Sequence, residues 1–337
     1  MLELSPPAID YGEAMAEPTT ARPGIDPTLQ TLLDAFPVTF TVDDGVEVAR
    51  EKLRQLKAPP ELLPEMRIEE RTIGYGDITD VPVRIYWPPI EQHDNLPVVV
   101  YYHGGGWAIG DLDTHDPVAR AHAVVAEAIV VSVDYRLAPE HPYPQGIDDS
   151  WAALRWVGEH ASELGGDPTR IAVAGDSAGG NISAVMAQLA RDNGGPPLVF
   201  QLLWYPPTTA DLTLPSMIEN ADSPFLDHDV VAAFMQWYLP PKIDMSEPAK
   251  LPPTLAPANT ADLSGLAPAF IGTAEYDPIR DDGARYAELL SAAGVPVELY
   301  NAPTLVHGFV SFALVVPAAA EATNRGLAAL KAALHRG

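Results

Sequence analysis

The chain contains no cysteine. That excludes disulfides, thiolate metal sites and a cysteine nucleophile together, and it fits a cytoplasmic protein. Cations are scarce. Twenty lysines and arginines stand against 46 aspartates and glutamates, a formal charge of −26 over 337 residues. Such a surface repels nucleic acid and anionic membranes, so neither is expected as a partner. It also suits solubility in high salt, where screening weakens self-repulsion. Long apolar runs are missing; none approaches the roughly 20 residues of a membrane span. The opening Met1-Leu2-Glu3-Leu4-Ser5-Pro6-Pro7 lacks the basic start and apolar core of a signal peptide. No side-chain cluster has metal-ligand spacing. Gly104-Gly105-Gly106 lacks the lysine of a phosphate-binding loop and is not followed by a dinucleotide fingerprint. Neither metal nor cofactor is expected.

What is present is a chain 47% hydrophobic, long enough for one large domain or two modest ones. Residues 1 to about 25 are rich in proline, alanine and acid, without periodicity, and read as a loose arm. Two short amphipathic helices are expected at 27–36 and 42–53. Residues 67–75 and 81–87 alternate like half-buried antiparallel strands. Apolar runs follow at 98–102, 129–133, 171–174, 199–204, 270–274 and 295–300, with helical stretches at 118–127, 151–160 and 284–293 between them and a last helix at 318–334. Strand–helix alternation of this kind predicts a mostly parallel sheet covered by helices. The interval between Pro206 and Pro268 breaks the alternation with prolines, acids and one aromatic helix at 230–239. Such an insertion is expected above the strand ends, as a cap.

The chemistry concentrates at Gly175-Asp176-Ser177-Ala178-Gly179, a G-x-S-x-G pattern between an apolar run and a helix marked by Ile182, Val185, Met186 and Leu189. A serine on that turn needs a base, an acid that orients the base, donors for an oxyanion and shelter from water. In the chain order of α/β hydrolases the acid and then the base follow the serine. The histidines after Ser177 are His228, His307 and His335. His228 falls in the expected cap and His335 in the tail; His307 follows the last strand and is the expected base. Asp277 leaves the preceding strand just before Pro278 and is the expected acid, ahead of Glu275, Asp281 and Asp282. His103-Gly104-Gly105-Gly106-Trp107 follows a strand directly, and its glycines let backbone N–H groups approach a ligand. Gly105, Gly106 and Ala178 are the expected oxyanion donors. His103, which precedes the serine, is expected to anchor its loop. Trp107 and Tyr205 border the catalytic edge and are expected to touch substrate. Arg136 is expected to pair with Glu140 or Asp134 within a stiff, proline-rich loop.

His103 to Trp107, Asp134-Tyr135-Arg136-Leu137-Ala138-Pro139-Glu140-His141-Pro142, Gly175 to Gly180, Asp277-Pro278-Ile279-Arg280-Asp281 and His307-Gly308-Phe309 stand in register. Together they resemble the hormone-sensitive lipase-like family of α/β hydrolases, the bacterial family IV esterases. The resemblance runs from Val98 to Phe309. One departure is Asn301-Ala302-Pro303-Thr304-Leu305-Val306, where that family usually carries a Tyr-x-Gly stretch. The resemblance implies an α/β-hydrolase fold: a mostly parallel eight-stranded sheet flanked by helices, with a helical cap. It divides the chain into an arm with cap helices (1–60), a first core part (61–206), a cap insertion (207–262) and a second core part (263–337). It implies a cofactor-free serine carboxylesterase acting on small-molecule esters of short-to-medium acyl chains, with Ser177, Asp277 and His307 as triad. A homodimer through the last strand or last helix is also plausible from the family. A lipase or amidase with the same triad, and a silent small-molecule receptor on the same scaffold, are the alternatives.

Overall fold

The computed structural model describes residues 24–35, 40–91 and 94–336. The arm, up to residue 23, and Phe36 of the first expected helix lie outside the described residues. Two short helices, α1 (Pro27–Ala35) and α2 (Val46–Arg54), precede the sheet. The second expected helix starts late. Val42–Asp44 form a single 3-10 turn, and Gly45 at φ 82° separates it from α2. That conformation suits glycine and interrupts the helical path.

Eight strands form one sheet: β1 (Arg67–Tyr75), β2 (Ile78–Trp87), β3 (Leu96–Tyr102), β4 (Ile129–Val133), β5 (Gly166–Asp176), β6 (Leu198–Trp204), β7 (Ala269–Tyr276) and β8 (Val297–Val306). Their spatial order is β1-β2-β4-β3-β5-β6-β7-β8. β2 pairs antiparallel with β1 and β4, and all other pairs are parallel. The central strands are continuous apolar runs because both faces are covered. All seven residues of β3 are buried. Its alternate residues feed two layers. Val98, Val100 and Tyr102 pack with Leu154, Ile182 and Leu290, while Val99 and Tyr101 pack with Ala123, Leu327 and Leu330. Thus α4 (Gln145–His160), α5 (Ala178–Asp192) and α8 (Arg280–Ala292) cover one face; α3 (Asp116–Ala126) and α9 (Pro317–Leu334) cover the other.

The last strand is longer than its apolar run. Residues 301–306, read as a loop, continue β8 to Val306, with Ala302, Leu305 and Val306 buried. Pro303 is tolerated because β8 is an edge strand with one unpaired side. The consequence is positional: His307 follows the strand at once.

Between β6 and β7 lie α6 (Pro215–Glu219) and α7 (His228–Tyr238). Asp227 caps α7 by accepting from the Val230 N–H at 2.8 Å. The ring of Phe40 stacks on Trp237 at 5.9 Å and meets Phe234 edge-on at 5.4 Å, joining the N-terminal segment to α7. Arg50 of α2 adds a polar tie. Its guanidinium donates to the carbonyls of Ala108 and Ala138 at 3.0 Å and to both oxygens of Glu140 at 2.8 and 2.7 Å. Glu140 is therefore taken by Arg50 and not by Arg136. Arg136 grips Asp149 of α4 with a two-pronged pair at 2.8 and 2.7 Å, because α4 begins at Gln145 and brings that carboxylate under the loop. Among the described residues no helix is long and apolar enough to cross a membrane.

Candidate active site

The carboxyl ends of β3, β5, β6, β7 and β8 meet at one edge of the sheet, where open α/β sheets bind ligands. Ser177 stands between β5 and α5 with φ 53° and ψ −119°. A non-glycine residue in that region holds of order 1–3 kcal/mol of strain. The Ser177 N–H donates to the Trp204 carbonyl at 2.9 Å, pinning the turn to β6. Close packing enforces glycine beside it: a Cβ on Gly179 would collide with the Tyr102 carbonyl.

His307 leaves the end of β8. Its Nε2 lies 2.9 Å from Ser177 Oγ and its Nδ1 lies 2.8 Å from Asp277 Oδ2. Asp277 leaves β7 and is fully buried; its Oδ1 accepts the Ile279 N–H at 2.9 Å. Asn220 donates to the carbonyls of Asp277 and Glu275, both at 3.0 Å, fixing this exit from behind. The rival residues are elsewhere. His335 bonds the Ala126 carbonyl and His228 faces Asp229 at the start of α7. Glu275 is engaged by Arg280 and Asn301, and Asp281 by Arg280 and Ser216. Asp282 accepts from Thr208 and Thr209.

The glycine loop faces the serine. Asp176 Oδ1 accepts the Gly104 N–H at 3.0 Å and the Tyr101 hydroxyl at 2.5 Å. The residue before the serine thereby ties the loop to the turn. Burial would raise the Asp176 carboxyl, but nearby His115 and the hydrogen bonds outweigh it and hold the group below its ordinary value. Nothing among the described residues accepts the N–H groups of Gly105, Gly106 or Ala178. The last sits at the start of α5, where the helix dipole favours negative charge. His103 is buried, stacks on Tyr135 at 4.4 Å and bonds the Gly104 carbonyl through Nδ1 at 2.7 Å. Burial pushes its imidazole down to about 4, so it remains neutral as a loop anchor.

Two lobes open at Ser177. The first is lined by Trp107, Leu226, Val231, Phe234, Met235, Leu255, Ile279 and Asp282. The second carries Phe40, Gly105, Tyr205, Phe225, His307 and the pair His115 and Asp176. Phe234 and Leu226 line both, together with Gly106 and Ser177. Trp107 lies in the first lobe, stacked on Tyr238 at 4.4 Å. Tyr205 is fully buried, with its ring 4.6 Å from that of His307, so it packs the imidazole as well as lining the lobe. Among the described residues no group of three or more histidines and acids is placed to hold a metal. Sequence reasoning read Phe234 as core and missed Arg50, Phe40 and the hydrogen-bonded carboxylate of Asp176. Only the last left a local signal, its place beside the serine.

A sheet of this order, with a serine raised on the turn after its fifth strand, is that of an α/β hydrolase. The family described as alpha/beta hydrolase fold matches residues 99–311, and the chain belongs to it. It is 78% identical over 321 residues to the carboxylesterase NlhH of Mycobacterium tuberculosis, covering 95% of this chain and 100% of that protein. The crystal structure of DphMB1 superposes with a TM-score of 0.86 at 54% identity, over 93% of this chain and all of the other. The hyperthermophilic esterase from the archaeon Pyrobaculum calidifontis superposes with a TM-score of 0.82 at 37% identity, over 92% and 98%.

Proposed function

We propose that the protein is a serine carboxylesterase for small-molecule esters of short-to-medium acyl chains. One observation carries the reading: a continuous line of hydrogen bonds from Asp277 through His307 to Ser177, at 2.8 and 2.9 Å, ending beneath a glycine loop. Buried Asp277 accepts the Nδ1–H of His307. That selects the tautomer whose Nε2 accepts the Ser177 hydroxyl proton. Ser177 Oγ then attacks the ester carbonyl. The tetrahedral oxyanion is met by the N–H groups of Gly105, Gly106 and Ala178, each such donor being worth about 2.7–4 kcal/mol of barrier. His307 returns the proton to the leaving alcohol, and water activated by the same imidazole frees the acyl group. The names of the relatives, carboxylesterase and esterase, support this reaction class. Two small lobes bordered by Phe234 and Leu226 support modest chains over long ones.

The test is turnover of a panel of alkanoyl esters of rising chain length, followed by proton release. Activity is expected to peak at short-to-medium chains and to vanish in Ser177→Ala, with the circular dichroism spectrum unchanged. A rate that climbs toward long emulsified chains would make the protein a lipase. No ester turnover, with tight binding of a small molecule, would make it a receptor.

A further inference from the structure

The first lobe holds a group that ester cleavage does not use. Asp282, in the first turn of α8, is 3% exposed and lines the lobe among Leu226, Val231, Met235, Leu255 and Ile279. Its two oxygens differ. Oδ1 accepts the N–H groups of Thr208 and Thr209 at 2.9 and 2.8 Å and the Thr209 hydroxyl at 2.7 Å. Oδ2 accepts from no described residue, which leaves it as the oxygen available to the lobe. Among the described residues no cation pairs with it. The neighbouring Arg280 is committed to Asp281, Glu275 and Glu219 at 2.9, 3.2 and 2.9 Å. Of the other polar lining residues, Asp211 is again an acid, Ser177 is the serine of the turn, and Trp107 carries a buried Nε1–H with no acceptor among the described residues.

A buried oxygen without a donor favours a ligand that brings one and disfavours a ligand that brings only acceptors. We propose that Asp282 is a specificity-determining residue, and that the first lobe receives the part of the ester that ends in a hydrogen-bond donor, a hydroxyl foremost. The inference rests on the carboxylesterase reading. Two further observations support it. Burial raises the Asp282 carboxyl to about 6, so in mildly alkaline assay it is the acceptor-only carboxylate. Its Oδ1 contacts also hold the chain just after β6, so the acceptor is fixed relative to the lobe wall formed by Pro207 and Ala210.

The experiment compares esters matched in non-hydrogen atoms whose tips are hydroxyl, methoxy or methyl. One arm carries the tip on the acyl side over a series of lengths; the other carries it on the alcohol side. For the wild type, kcat/KM is expected to favour the hydroxyl tip over the methoxy tip by roughly ten- to a hundredfold at one length. The arm that discriminates identifies which side of the ester enters this lobe. Asp282→Asn keeps an oxygen for Thr208 and Thr209 but turns a donor toward the lobe, so the hydroxyl-to-methoxy ratio is expected to collapse toward one or invert. A purely structural role would depress all three substrates alike and leave the ratio unchanged, which would overturn the proposal. So would a wild-type ratio near one in both arms, whether or not the variant folds. In that case good turnover of the methyl-tipped esters would leave the carboxylesterase reading intact. Turnover of none would remove both.

Discussion

Ser177 sits in a backbone region that L-residues avoid, and every contact around it leaves that conformation no escape. Its N–H is tied to β6, its hydroxyl to His307, and the glycine two residues on touches the end of β3. Residue types and chain order made Ser177, Asp277 and His307 legible as candidates, because acyl transfer needs a nucleophile, an acid and a base, and this fold supplies them in that chain order. The choice of His307 over His335 also had a physical basis, since only the former follows a strand that ends at the serine's edge. A direct consequence is testable. His307→Asn is expected to lower kcat by roughly 10³–10⁴-fold or more, while His335→Asn leaves kcat within about twofold. Equal losses in the two variants, read by single-turnover kinetics, would point to another base. Asp282 was legible only as a rival to Asp277 for the acid. Its distinction lies in which oxygen is occupied, and that depends on Thr208 and Thr209, more than seventy residues upstream.

At the scale of elements, the strands and the helices between them were legible from apolar runs and 3.6-residue spacing, but their ends were not. β8 runs on through Asn301 and Pro303, which local propensity assigns to a loop, because pairing with β7 and burial of Ala302 and Leu305 prevail. Helix α2 shows the other limit. Its sequence marks an amphipathic helix, yet its anchoring depends on Arg50 reaching Ala108 and Glu140, 58 and 90 residues away. That clamp gives a signed pH dependence. The hydrogen bond from Arg50 foremost holds the Glu140 carboxyl at about 2, below its ordinary 4.5. A depressed acid stabilises the fold above its unfolded pKa and loses that contribution as pH falls through its folded value. Glu140 is half-exposed, so screening keeps its share small. Arg50→Gln is expected to cost about 1–3 kcal/mol, mostly through the two carbonyls and the charge pair. The urea midpoint should show the deficit in full above pH 4.5 and a smaller one as pH approaches 2. A deficit that does not change across that window would mean that Glu140 contributes nothing.

The whole molecule is a sheet that gathers distant segments at one edge and a set of N-terminal and inserted helices laid over that edge. The glycine loop, the serine turn, Asp277 and His307 come from the ends of β3, β5, β7 and β8, and the parallel register across β3 to β8 brings them to one edge. The insertion was legible as an interruption of the strand–helix alternation. Its contact with the N-terminal segment, through Phe40, Phe234 and Trp237, was not, because aromatic residues in isolation read equally as core. The central claim concerns a single oxygen atom, Ser177 Oγ, made nucleophilic by this assembly. The most direct measurement is peptide mass spectrometry after reaction with a fluorophosphonate ester. One adduct per chain, on the peptide containing Ser177, absent from Ser177→Ala and greatly slowed in His307→Asn, is the predicted result. An unlabelled wild type, or an adduct on any other residue, would contradict it.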